Sequence, residues 1–107
     1  MSGLLCAIRN VQVVVPHHHS RANVKTRLIK GYERHPEWQS LVKNFTWHDE
    51  YDVIFVLRSH GYECEGSITI AARYVAYRLK NLPLFFLPLK NVIEAEVEDH
   101  LELLLRH

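Results

Sequence analysis

The sequence predicts an α/β fold: a small three-layer Rossmann-like domain with a short parallel sheet, in the order β-α-(α)-β-α-β-α. Three observations carry this expectation. Val53-Ile54-Phe55-Val56-Leu57 is an unbroken apolar run, as in a strand covered on both faces. It runs out into a polar stretch over 58–67 that reads as a strand-to-helix loop. Apolar stripes at helical spacing lie before and after it, and strands alternating with helices imply right-handed parallel crossovers.

The first strand is read within 4–15, LLCAIRNVQVVV, ending at Pro16. Ser20 is an N-cap candidate for a helix over 21–34, with Val24, Leu28 and Tyr32 on one face. His35-Pro36 interrupts that helix, and Pro36 suits the first turn of another, which Trp38, Leu41, Val42 and Phe45 carry to about Asn44. Residues 47–50 form a polar connection into the central strand. Ser67 then caps a helix over 68–80, whose stripe includes Ile68, Ala71, Ala72, Val75, Ala76 and Leu79. Asn81-Leu82-Pro83 turns into a third strand, Leu84-Phe85-Phe86-Leu87. Asn91 and Glu94 fit a capping box for a last helix over 92–106, with Ile93, Val97, Leu101, Leu104 and Leu105 on one face.

All of 1–107 reads as a single domain with enough apolar content, 48%, for a real core. The net charge of +1 argues against a dominant nucleic-acid or membrane footprint. There are eight histidines, so charge depends strongly on pH below about 6.5. The two cysteines, Cys6 and Cys64, make no disulfide framework. No signal peptide and no run of about 18 apolar residues is present, so the expectation is a reduced cytoplasmic protein.

In a parallel sheet, the loops after successive strands open on one edge, where ligands bind. That edge would gather His17, His18, His19 and Ser20 from the first loop. Arg58, Ser59, His60, Gly61, Glu63, Cys64, Gly66 and Ser67 would come from the second, and Asn91 from the third. Helix N-termini there would favour a phosphate or carboxylate.

His60-Gly61, Gly66-Ser67, Ala71-Ala72-Arg73-Tyr74 and Leu82-Pro83 stand in an order that resembles Rossmann-like nucleotide-binding proteins, the grouping of SLOG domains, lysine-decarboxylase-like phosphoribohydrolases and nucleoside deoxyribosyltransferase-like folds. The resemblance covers about a third of the chain. It implies a nucleotide or phosphorylated small molecule at the loop edge, with hydrolysis or transfer at a phosphate or glycosidic bond. Two departures stand out. The carboxylate such families carry in the helix falls here on Ile68, Ile70 or Ala71, and the first loop is histidine-rich rather than glycine-containing.

The expected cradle is therefore His19, Ser20, Arg58, Ser59, Gly61, Gly66, Ser67 and Asn91. His60 is the general acid–base candidate, Glu63 its carboxylate partner, and His18 stands across from them. No metal is assigned and no cofactor is named. Plainer readings compete: a solvated histidine loop, an Arg58 ion pair with Glu63 or Glu65, and Cys64 as a passive thiol. The alternative function is a non-enzymatic viral or regulatory interaction protein acting as a homodimer, anchored through Trp38, Trp47 and the tyrosines. A second alternative, a small metal-dependent nuclease, takes paired histidines at 17–19 and Tyr77 as its signature.

Overall fold

The computed structural model describes residues 10–59 and 61–106. Its centre is a five-stranded sheet in the order β1-β5-β4-β3-β2, with every neighbouring pair antiparallel. The strands are β1 (Val11–Pro16), β2 (Val42–Asp49), β3 (Asp52–Ser59), β4 (Tyr62–Ile70) and β5 (Tyr74–Lys80). Helices α1 (Arg21–Arg34) and α2 (Pro36–Leu41) link β1 to β2, and a 3-10 helix (Leu84–Leu89) leads from β5 into α3 (Lys90–Leu105). The helices pack on one face of the sheet. The parallel Rossmann-like sheet is thus corrected to an antiparallel sheet covered on one side, and with it goes the single edge on which all loops were expected to open.

Alternation explains why. In β1, Val11, Val13 and Val15 are buried while Gln12, Val14 and Pro16 face out. In β4, Cys64, Gly66, Ile68 and Ile70 point inward between Glu65, Ser67 and Thr69. These are half-buried antiparallel strands with a period of two. Residues 68–80, expected as a helix, are the end of β4, a short turn and β5. Ser67 is a mid-strand residue opposite Ile54 and Arg78, not a cap. The central strand is covered on one face only, since Ile54 on β3 is 48% exposed.

Smaller corrections follow. The second helix stops at Leu41, and 42–49 is β2, so Trp47 lies in a strand rather than a connection. Leu84-Phe85-Phe86-Leu87 is 3-10 rather than strand, bounded by Pro83 and containing Pro88. Asn91 is exposed in the first turn of α3, whose N-cap position is Leu89 with no side-chain cap, so the capping box does not form. α1 begins as its cap dictates: Ser20 accepts a hydrogen bond from the Asn23 N–H at 3.1 Å. Residues 4–9 of the expected first strand lie outside the described residues. No helix among the described residues is long and apolar enough to cross a membrane.

The core is the inner sheet face against α1 and α3. Val24, Val53, Ile70, Val75 and Leu79 are fully enclosed, each contributing about 1.5–3 kcal/mol of transfer free energy. Gly66 is placed there for space. A Cβ on it would stand 2.4 Å from the Phe55 ring, which lies across it, and 3.0 Å from Leu79. Gly66→Ala is therefore expected to destabilise the fold by about 1–3 kcal/mol through overpacking. Urea denaturation measures this, and the loss should shrink when Phe55 is shortened to Leu in the same chain.

Candidate functional site

The inner sheet face is not fully covered. A cavity of about 260 Å³ lies between it and the helices. Phe55, Leu57, Ile68 and Tyr77 form the floor from β3, β4 and β5. Val42 and Phe45 of β2 close one side, and Leu28 and Tyr32 of α1 another. α2 contributes Trp38 and Leu41, while α3 contributes Ile93, Val97, Leu101 and Leu104. The ionisable groups are few: Glu96 and His100 on α3, and the phenols of Tyr32 and Tyr77.

Aromatic contacts hold the walls. Tyr32 stacks on Phe45 with centroids 4.8 Å apart, Phe45 stands 6.4 Å from Phe55, and Phe55 stands 5.7 Å from Tyr77. Such pairs add to the stabilisation from burial alone. Trp38 sits between two imidazoles, stacked on His35 at 4.3 Å and edge-on to His100 at 5.3 Å. His100 is itself fixed, its Nδ1–H donating to the Glu96 carbonyl at 2.7 Å. Burial pushes the Tyr77 phenol up, with nearby Cys64 adding in the same direction, so it stays neutral. Burial also raises the Cys64 thiol, the opposite of what an activated nucleophile needs.

The residues expected to form one site are spread over the molecule. The β1–α1 loop lies where β1 ends beside the start of β5, with Pro16 opposite Tyr74. The β3–β4 hairpin, with Ser59 opposite Tyr62, lies at the other end of the sheet. His18, His19 and Ser20 are therefore not brought together with Arg58, Ser59, Gly61 and Glu63. Arg58 instead pairs with Glu63 across the hairpin, its Nε donating to Oε1 at 2.8 Å and its Nη2 to the same oxygen. Both are about half exposed, so the pair contributes little. Gly61 has φ +81 in the turn, where a side chain would be strained. His60 lies outside the described residues, as does the side chain of Ser59.

Gly66 and Ser67 do share a hollow, about 270 Å³, with Asn44, Ile54, Glu65 and Lys80. Those side chains other than Gly66 belong to the outer sheet face, turned away from the helices. Glu65 and Lys80 stand opposite each other in register there, as on a solvated face.

The histidine loop is a clasp. His17 is 4% exposed, and its Nε2–H donates to the Ala71 carbonyl at 2.9 Å while its Nδ1 accepts from the His19 N–H at 3.2 Å. His19 Nε2–H donates to the Leu105 carbonyl at 2.8 Å. Arg27 adds bonds to the carbonyls of Leu104 and Arg106 at 3.0 and 3.1 Å. Cationic and N–H donors at the end of α3 satisfy its last carbonyls. His18 is exposed. No group of three or more His, Cys, Asp or Glu among the described residues is arranged to hold a metal ion.

The 3-10 helix carries an exposed apolar surface, with Leu84 at 61% and Phe85 at 64%. Phe85 and Phe86 pack on Tyr62 at 5.3 and 5.8 Å.

Tyr77, Trp38 and Phe45 escape the sequence reading as a cavity lining because the first lies off the apolar stripe of the expected 68–80 helix and the others lie on a helical stripe. The period-two spacing of Val75, Tyr77 and Leu79 is the signal that finds the inner face. Comparison with protein-family models, with curated proteins and with solved structures finds no match for this chain.

Two outcomes test this description. His19→Ala is expected to lower stability by about 1 kcal/mol and His17→Ala by about 1–3 kcal/mol, while His18→Ala stays within about 0.5 kcal/mol in urea titrations. Stability should also fall in alkali. The folded values of Cys64 and Tyr77 are raised, so the unfolded chain gives up these protons first. Stability is full below the ordinary thiol value of 9.0 and declines as pH climbs past it and then past the ordinary phenol value of 10.0. Urea midpoints from about pH 8 to 11 should show the decline, and the Tyr77→Phe, Cys64→Ala double variant should flatten it.

Proposed function

We propose that the protein is a small-molecule binder that takes up an apolar compound in the cavity between the sheet and the helices. The observation that carries this reading is the lining. Five aromatic rings and a set of aliphatic side chains from every layer converge on one space, while the polar side chains Glu96 and His100 belong to a single helix. Binding pockets for small molecules share this make-up, mostly apolar walls with a few placed polar groups. Size sets the scale of the ligand. A dry cavity of about 150 Å³ accommodates benzene, so about 260 Å³ in a cavity open to solvent on one side suits a skeleton of two to three rings. A phosphate cradle receives no such support, because the expected loops stand at opposite ends of an antiparallel sheet.

N-phenyl-1-naphthylamine, a neutral apolar dye that brightens away from water, is the first probe. Saturable fluorescence enhancement is expected, together with stabilisation of about 2.7 kcal/mol at a free dye concentration of about one hundred times Kd. Val97→Phe places a ring in the space from α3. It should weaken dye binding by at least about tenfold while the melting temperature holds or rises, because a void is filled rather than created. Absence of saturable binding to the wild type, or unchanged binding to Val97→Phe, overturns the proposal.

A further inference from the structure

We propose that the Tyr77 hydroxyl selects, among apolar molecules of that size, those carrying a hydrogen-bond acceptor such as a carbonyl oxygen. This inference rests on the cavity being a binding site. Tyr77 enters the floor from β5, where it faces Ile68 of β4 and Val13 of β1. Its ring meets Phe55 of β3 at 5.7 Å, across the place that Gly66 leaves clear on the intervening strand. The ring is thus fixed by packing on both sides of β4. Tyr77 lines the cavity with Ile68, Leu57 and Leu101, and its hydroxyl makes no hydrogen bond to any described residue yet is not sealed from water.

Water serves that phenol while the cavity is empty, and a ligand that fills the cavity displaces it. As a neutral O–H the phenol donates more readily than it accepts, so a ligand carbonyl is the complementary group. Sites built with a polar group awaiting a partner discriminate against ligands that cannot supply one, because that group then stays unpaired. The polar groups on α3 are less suited to this role. His100 has its Nδ1–H committed to a backbone carbonyl, and Glu96 is exposed. Tyr32 is engaged through its ring with Phe45, on the α1 side rather than the floor.

The test uses a matched pair, 2-acetylnaphthalene and 2-isopropenylnaphthalene. They share shape and differ in a carbonyl oxygen against a methylene. Each is titrated by displacement of N-phenyl-1-naphthylamine from the wild type and from Tyr77→Phe, which keeps the ring packing. The ratio of alkene Kd to ketone Kd should fall roughly fivefold in the variant, the equivalent of one net hydrogen bond, with the alkene binding more tightly because no hydroxyl is left unpaired. The same ratio in both proteins overturns the role of Tyr77 and leaves cavity binding standing. Binding of neither compound, nor of the dye, to the folded wild type overturns both.

Discussion

The position of α3 governs this molecule. Its C-terminal half is seated: Leu101 and Leu105 are buried, and His19 and Arg27 hold the carbonyls of its last turn. Its N-terminal half packs Ile93 and Val97 against the core only in part, and these side chains line the cavity. The helix packs chiefly along β1, at one edge. It therefore cannot close over β3 and β4, and that part of the inner face is left to α1 and the six-residue α2, which has no buried side chain. The cavity is the space that this uneven coverage leaves, and the clasp at 17–27 is what keeps the coverage uneven. An apolar sheet face with that much room is unusual because interiors otherwise pack at crystal-like density.

Local rules were legible wherever one signal dominated. Ser20 starts α1 and Pro36 starts α2 as their chemistry requires, and α3 follows its long apolar stripe. The stretch from Tyr62 to Lys80 carried two patterns at once. Ile68, Val75 and Leu79 fall on both a helical stripe and an alternating strand, and Ala71, Ala72 and Ala76 tipped the reading toward helix. Ala71 and Ala72 in fact make the turn between β4 and β5. The β-branched density of Ile68-Thr69-Ile70, with Glu65 and Ser67 alternating with Cys64 and Gly66, is the stronger physical signal, since those side chains favour a pleated, half-buried surface. In the central strand the run of apolar residues concealed the alternation, because Ile54 and Val56 are apolar yet face outward.

That one misreading displaced the expected site. A parallel sheet would have collected histidines, arginine and glycines on one edge, whereas antiparallel strands send successive loops to opposite ends. The individual chemistry fared better than its assembly. Arg58 pairs with Glu63, one of the two partners weighed for it, and the buried Cys64 thiol fits the passive reading. Gly66 is expected in a ligand cradle, but its role is the absence of a Cβ beneath Phe55. Tyr77 could not be recognised without the sheet, because its neighbours in the cavity come from every other layer.

The topology has a consequence for how the chain assembles. β2 to β5 form a meander in which each pairing joins sequence neighbours, whereas β1 must reach β5 from the far end of the chain, Val11 to Leu79. Contacts of long sequence separation form late, since closing the intervening loop precedes any gain from pairing. Until β1 and the helices arrive, the meander presents Val53, Phe55, Ile68 and Ile70 to water and β5 as an open edge. An apolar face beside an unpaired strand is the combination that recruits strands from other chains. The β1–β5 pairing thus protects the chain from its own copies as well as completing the sheet.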